Sequence, residues 1–365
     1  MSINSLCITT NSDRPEAESF IGLHKAGVGI TVVCGHGATH LQRLKSAGIE
    51  VIELDMQGRI DRHAIKVIRT LLKSRSFDII HMYNNRAVSN GLLASFNINI
   101  RRIAYRGIVG NVSFFDPASW MTYLDPRLDR VVCVANAIRD YFRSMRFLGM
   151  KLNPQRFQTI YKGHDLSWYQ DKPVEPQQFG IPADAFVVGC IANVRPRKGI
   201  HILIEAMNHL PDDIPIHILL IGNMDNARLQ QQINASRHSG RIHQTGFRED
   251  APAVIAGCHA SVLPALKREG LPKVVIESMA YGVPAIVTDS GGSPELIEDN
   301  ISGLIIPPGS AIAIAEKITY LARNRQRLSE MGEQAKLRIQ HCFHTSATVQ
   351  QTLDLYRELT GQNPH

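Results

Sequence analysis

From Glu269 to Ile297 the chain reads EGLPKVVIESMAYGVPAIVTDSGGSPELI. Pro272 suits the first turn of a helix, where a backbone N–H has no intrahelical partner to lose. The spacing predicts a helix over Pro272–Tyr281, a short apolar strand at Ala285–Thr288, a Gly-Gly turn, and a second helix at Pro294–Glu298. Helix, strand and helix in so short a stretch is the repeating unit of a parallel sheet covered by helices.

The same alternation extends outward to both ends. Downstream of residue 184, further strands are expected at Phe186–Ala192, Ile216–Ile221, Ile242–Gln244, Ala260–Leu263 and Gly303–Ile306. Upstream, they are expected at Leu6–Thr9, Gly29–Val33, Val51–Leu54, Asp78–Met82, Arg102–Tyr105, Arg130–Val134 and Gln158–Tyr161. Helical patterns separate them. Between the two series lies DKPVEPQQFGIP, residues 171–182, polar and proline-bearing, which reads as a linker. The expected fold is α/β, with two doubly wound parallel-sheet (Rossmann-like) domains facing a cleft. Residues 1–170 form the N-terminal domain, 171–183 the linker and 184–345 the C-terminal domain. Residues 346–365 hold a last amphipathic helix that packs back on the N-terminal domain.

Composition agrees with that plan. The chain has 365 residues, 44% hydrophobic and 20% charged, and single cores stop growing near ~250–300 residues. No apolar run approaches the ~20 residues needed to span a bilayer, and Met1–Thr10 lacks the basic head and long apolar core of a signal peptide. Six cysteines stand singly, without C-x-x-C spacing, so reduced buried thiols and a cytoplasmic setting are expected. Charge is unevenly shared. Residues 1–170 hold 22 basic and 13 acidic side chains, net +9, whereas residues 171–365 hold 18 and 20, net −2. The N-terminal half is therefore expected to meet an anionic partner.

The opening stretch also carries chemistry. The helix beginning after Pro272 presents free N–H groups and a dipole that favours a diphosphate, and Lys273 adds a cation there. Glu269 and Glu277 lie eight positions apart, and a carboxylate accepts two hydrogen bonds from a vicinal diol. By spacing alone, two solvated glutamates on a surface helix are the simpler reading.

Context changes that reading. The stretch resembles the donor-site signature of family 4 glycosyltransferases, the retaining, GT-B-fold enzymes that use nucleotide sugars. Its elements here are Glu269, Gly270-Leu271-Pro272, Glu277, Gly282-Val283-Pro284-Ala285-Ile286 and Gly291-Gly292-Ser293-Pro294-Glu295. The resemblance implies that Glu269 contacts donor-sugar hydroxyls and Glu277 the nucleotide ribose. IANVRPRKGI, residues 191–200, resembles the family's G-R-L-x-x-x-K-G loop, whose Arg and Lys hold the diphosphate. Lys198 and Gly199 align with its K-G pair, but its Arg falls on Asn193, so Arg195 or Arg197 must supply that cation, and Arg195 is favoured. Thr245-Gly246-Phe247 resembles the turn beside the nucleotide base, which adds Gly246 and Phe247 to the donor site.

The N-terminal half departs from the family. The loop where many members carry a glycine pair reads Thr9-Thr10-Asn11-Ser12-Asp13-Arg14. Arg106 occupies the position of a His beside the donor sugar, and a guanidinium is a poor proton carrier at neutral pH. His81 and Tyr83, in DIIHMYN, align with a D-I-V-H-x-H strand, and Lys162-Gly163-His164-Asp165 resembles an N-G-x-D element.

No D-x-D occurs, so no essential metal is expected, and no cofactor beyond the donor. His36 and His40 have no glutamate between them and read as loop histidines rather than a zinc site. In Arg59–Arg75, Arg59, Arg62, Lys66, Arg69 and Lys73 recur along one helix face, which fits either docking to an anionic membrane or a solvated face whose apolar side packs on its own sheet. No aromatic-interleaved basic patch points to nucleic acid.

The function expected is therefore retaining hexosyl or N-acetylhexosaminyl transfer, with Glu269 and Arg106 at the reacting centre. The donor is a nucleotide diphosphate sugar, and the acceptor a glycan or lipid-linked glycan of a cell-surface polysaccharide, lipopolysaccharide or glycolipid. The expected location is the cytoplasm, peripheral to the inner face of the cell membrane. A nucleotide-sugar epimerase of the same fold and an inactive nucleotide-sugar-binding protein are the alternatives.

Overall fold

The computed structural model describes residues 2–362. It divides into two compact units, one running to Gly163 and resuming at Thr345, the other spanning His164–His344.

The first unit is built on β1 (Asn4–Ile8), α1 (Arg14–Lys25), β2 (Gly29–Cys34), α2 (Leu41–Ser46), β3 (Glu50–Glu53), α3 (Arg62–Ser74) and β4 (Ile79–Met82). It continues through α4 (Asn85–Ala94), β5 (Arg101–Arg106), α5 (Pro117–Trp120), β6 (Arg130–Cys133), α6 (Asn136–Ser144), the strands β7 (Arg146–Phe147) and β8 (Met150–Lys151), and β9 (Phe157–Thr159). Seven strands pair in the order β3-β2-β1-β4-β5-β6-β9, all in parallel. Local chemistry starts the helices. Asp13, Asp61 and Asn84 each accept from backbone N–H groups of the first turn of α1, α3 and α4.

The second unit contains β10 (Phe186–Ile191), α7 (Ile200–Ala206), β11 (Ile216–Ile221), α8 (Ala227–Ala235), β12 (Ile242–Gln244), α9 (Ala251–Ala256) and β13 (Ala260–Leu263). Then come α10 (Lys273–Ala280), β14 (Ala285–Thr288), α11 (Ser293–Leu296), β15 (Gly303–Ile306), α12 (Ala311–Arg323) and α13 (Arg325–Cys342). Its six strands run β12-β11-β10-β13-β14-β15, again parallel. Strands such as β11 and β13 are buried along their whole length, as apolar runs between two helical layers must be. The chain returns to the first unit with α14 (Thr345–Thr360), which lies along α1. Gly22 permits that approach, because a Cβ there would sit 2.4 Å from a methyl of Val349. Leu353, Leu355, Tyr356 and Leu359 complete the core of the first unit.

Two stretches fall elsewhere than the sequence suggests. Residues 164–183, assigned above to the end of the first domain and to the linker, lie within the second unit. Val174 N–H donates to Ala253 (2.9 Å), and Ile181 is buried among Val187, Leu219 and Val254. The apolar residues of the proline-bearing stretch dock it. The helix α13 and the β7–β8 hairpin had no counterpart in the sequence reading.

Candidate active site

In both sheets the strand order reverses direction once, between β1 and β4 in the first unit and between β10 and β13 in the second. At such a reversal the two following loops diverge and leave a crevice at the carboxyl ends of the strands.

In the second unit those loops are 192–199 and 264–272. They are locked together: Leu266 N–H donates to Arg197 O at 2.8 Å. Gly199 adopts φ +68°, and a Cβ there would lie 1.9 Å from Pro264 O. Only glycine lets the two backbones meet this closely. Their charged side chains converge as a result. Arg197 Nη1 lies 3.1 Å and Lys198 Nζ 3.0 Å from the Glu269 carboxylate, which is only 5% exposed. A carboxylate buried to that degree requires charged partners. Gly292 N–H donates to the Glu269 carbonyl (3.2 Å), and a Cβ on Gly291 would lie 2.0 Å from that same oxygen. The Gly-Gly turn thus serves as the backrest of Glu269.

Pro272 stands at the N-cap of α10, and the crevice meets the start of that helix. Glu277, also buried, accepts from Lys273 at 2.9 Å. Ser278 and Ser261 hydroxyls meet at 2.8 Å and fix α10 to β13. Arg197, Lys198 and Glu269 together carry one net positive charge beside a helix N-terminus, which is a receptor for an anion. At the end of β11, Gly222 N–H donates to Gly246 O (2.9 Å), which places the Thr245–Phe247 turn with the Phe247 ring exposed.

The arginine of this cluster is Arg197. Arg195, expected from the sequence in that role, is exposed and lines a separate hollow with Asn226 and Gln232. The signal for Arg197 is its place beside Lys198 in a one-turn 3-10 helix, Pro196–Lys198, which turns both side chains to the same neighbour.

The reversal point of the first unit is built differently. Thr10, Tyr83, Asn84, Asn85, Tyr105 and Arg106 are among the residues lining a hollow of about 410 Å³. Arg106 is buried, and each nitrogen of its fork donates within the unit: Nε to Ile108 O (3.0 Å), Nη1 to Asn85 Oδ1 (3.3 Å) and Nη2 to Gly110 O. Its guanidinium lies 4.6 Å from the Tyr123 ring centre. Arg106 thus shapes the 107–110 loop, whereas the sequence placed it at the reacting centre. Behind the hollow, His81 Nδ1 meets the hydroxyls of Tyr356 (2.9 Å) and Tyr83 (3.1 Å), and burial pushes its pKa down to about 3. Lys162 Nζ lies 2.8 Å from Asp13 and 3.7 Å from Glu16. Burial raises the Glu16 carboxyl to about 7, against the pull of the Lys162 ammonium. Among the described residues, no three His, Cys, Asp or Glu side chains converge as a metal site would require, and no helix is long and apolar enough to cross a membrane.

Two doubly wound units with this topology define the GT-B fold. Residues 171–338 match the family of group 1 glycosyl transferases. The chain is 25% identical over 208 residues to the putative colanic acid biosynthesis glycosyltransferase WcaL of Escherichia coli, covering 54% of this chain and 50% of that protein. It is 30% identical over 165 residues to the lipopolysaccharide core biosynthesis glycosyltransferase LpsE of Rhizobium meliloti, covering 44% and 47%. The matches span about half the length of these curated relatives. Among solved structures, Anabaena Alr3699/HepE in complex with UDP superimposes with a TM-score of 0.80 at 22% identity, over 98% of this chain and 100% of that one.

Proposed function

We propose that the chain is a retaining glycosyltransferase that moves a hexosyl or N-acetylhexosaminyl group from a nucleotide diphosphate sugar to a glycan or lipid-linked glycan acceptor. Its place is in building a cell-surface polysaccharide or lipopolysaccharide. The observation that carries this reading is the buried Glu269 held by Arg197 and Lys198 beside the start of α10. Names of relatives such as WcaL and LpsE agree with the acceptor class, and HepE, solved with UDP and with UDP-glucose, makes a uridine diphosphate sugar the first donor to test.

The donor diphosphate competes for Arg197 and Lys198. As the two cations turn to it, the Glu269 carboxylate is released to accept from the sugar hydroxyls. Glu277, one turn into α10, accepts from the ribose diol. Charge that develops on the leaving diphosphate then meets the two cations already turned to it on binding and the N–H groups of α10. Retention follows when acceptor and leaving group occupy the same sugar face, which requires placement more than side-chain chemistry. No divalent ion is needed, since these cations supply the positive charge, so chelators leave transfer intact. Reaction with UDP-glucose and related donors, read by the anomeric proton of the product, tests the reading. An α-linked product from an α-donor is expected. Glu269→Ala lowers transfer by about a thousandfold or more, the loss of one well-placed interaction at the reacting centre. Hydrolysis and transfer that survive Glu269→Ala would overturn the assignment.

A further inference from the structure

An apolar patch stands out on the first unit, away from both hollows in residue content. The strands β7 and β8 form a hairpin, Arg146 pairing with Lys151 and Phe147 with Met150. Its two turn residues, Leu148 and Gly149, both have positive φ, +49° and +79°. Such a turn favours Asn-Gly, and a leucine there is strained. Leu148 is nevertheless 85% exposed, so packing within the chain does not explain it.

A second segment joins the hairpin. The Phe147 ring lies 5.1 Å from that of Phe114 and 6.2 Å from that of Phe115, and Phe114 lies 6.0 Å from Trp120. Phe115 is 88% exposed and Trp120 is 43% exposed. The Trp120 indole N–H donates to Phe114 O (2.8 Å), which fixes the ring at the surface. Isolated exposed apolar residues are ordinary, but a contiguous cluster with a strained leucine at its tip marks an interaction surface.

The charges around it select the partner. Arg146 and Lys151 flank the tip, and Arg143 lies exposed on the preceding turn. The acid within these segments, Asp116, is engaged by the Ala118 N–H and the Ser119 hydroxyl, which hold its pKa low. By contrast, the apolar side chains of α3 that are buried, Ala64, Ile68 and Leu72, face its own unit. Aromatic and leucine side chains beside arginine and lysine match the interfacial zone of an anionic bilayer, with apolar tips below the headgroups and cations among them.

We propose that the 146–151 hairpin and the Phe114–Trp120 segment dock this protein on anionic lipid bilayers. The inference stands apart from the transfer reading, because its test uses neither donor nor acceptor. The full chain is floated with vesicles of phosphatidylcholine, with and without phosphatidylglycerol. The native protein is expected to bind the anionic vesicles, and more weakly at high salt as the charges are screened. Leu148→Asn with Phe115→Ser should lower partition about tenfold, since binding scales with buried apolar area. The melting temperature should hold or rise, because Asn relieves the left-handed leucine. Leu148→Asn alone, with an intermediate loss, covers the case in which the double variant misfolds. Replacing Arg62, Lys66 and Lys73 by Gln should leave binding within about twofold. Absence of native binding, equal binding by the double variant, or loss confined to the α3 variant overturns the proposal. So does lipid-free dimerisation that Leu148→Asn abolishes, which would make a second copy the occupant.

Discussion

The two units share one sheet plan and reverse strand order at corresponding places, yet they fill those places with opposite chemistry. In the second unit the crevice holds charges paired with one another: Arg197 and Lys198 both face Glu269. In the first unit the corresponding groups are tied to their own surroundings. Arg106 donates to Ile108, Gly110 and Asn85, and His81 Nδ1 meets two tyrosine hydroxyls. Charges paired only with one another can be redirected, whereas a side chain tied to loop carbonyls holds its backbone in place. The fold supplies the location and the side chains decide which role each crevice takes.

The sharpest break of this contrast lies within one loop. Arg197→Gln should lower transfer about a hundredfold, whereas Arg195→Gln, three side chains from Lys198, should stay within about threefold. Equal losses, measured as kcat/KM for the donor, would remove the distinction drawn between them. In the first unit the corresponding change acts on stability. Arg106→Lys keeps the charge but loses the planar fork, stranding two backbone carbonyls at a cost of about 2 kcal/mol. Denaturant unfolding reads that loss, and a variant as stable as the native chain would mean the fork is not structural.

A smaller effect belongs to Glu16. Its carboxyl titrates near 7 in the folded chain and near the ordinary 4.5 when unfolded. The folded state therefore favours the protonated form. The resulting stability is complete below about pH 4.5 and is lost as pH rises through about 7. The contribution is about 3 kcal/mol, the Lys162 charge being already included in that balance. Glu16→Gln should flatten the decline between pH 5 and 8, and an unchanged pH profile would assign it to another group.

Much of this was legible from residues alone. Apolar runs such as Ile216–Ile221 and Ala260–Leu263 match β11 and β13 because strands buried on both faces leave continuous hydrophobic stretches. Arg14–Lys25 matches α1, since Asp13 and Pro15 mark its start. The 18-residue α13 escaped notice because it buries Leu328, Met331, Gly332, Ala335 and Ile339, a thin stripe of partly small residues amid charge. The hairpin escaped because its turn has leucine where the pattern calls for Asn. The motif singled out Glu269 and Lys198, which the structure brings together, and Glu277, which it pairs with Lys273. It did not single out Arg197, because which of two neighbouring arginines points inward depends on a single turn of 3-10 helix.

The return of α14 has a consequence for how the molecule is made. Tyr356 is buried in the first unit and its hydroxyl accepts from Ser5, a contact spanning 351 positions of chain. During synthesis the first sheet emerges early but lacks a cover along α1 until the segment around Tyr356 has been translated. The second unit, contiguous from His164 to His344, can close before that moment. In order of synthesis the later unit's sequence is therefore complete before the earlier one's, whose cover along α1 comes only with α14.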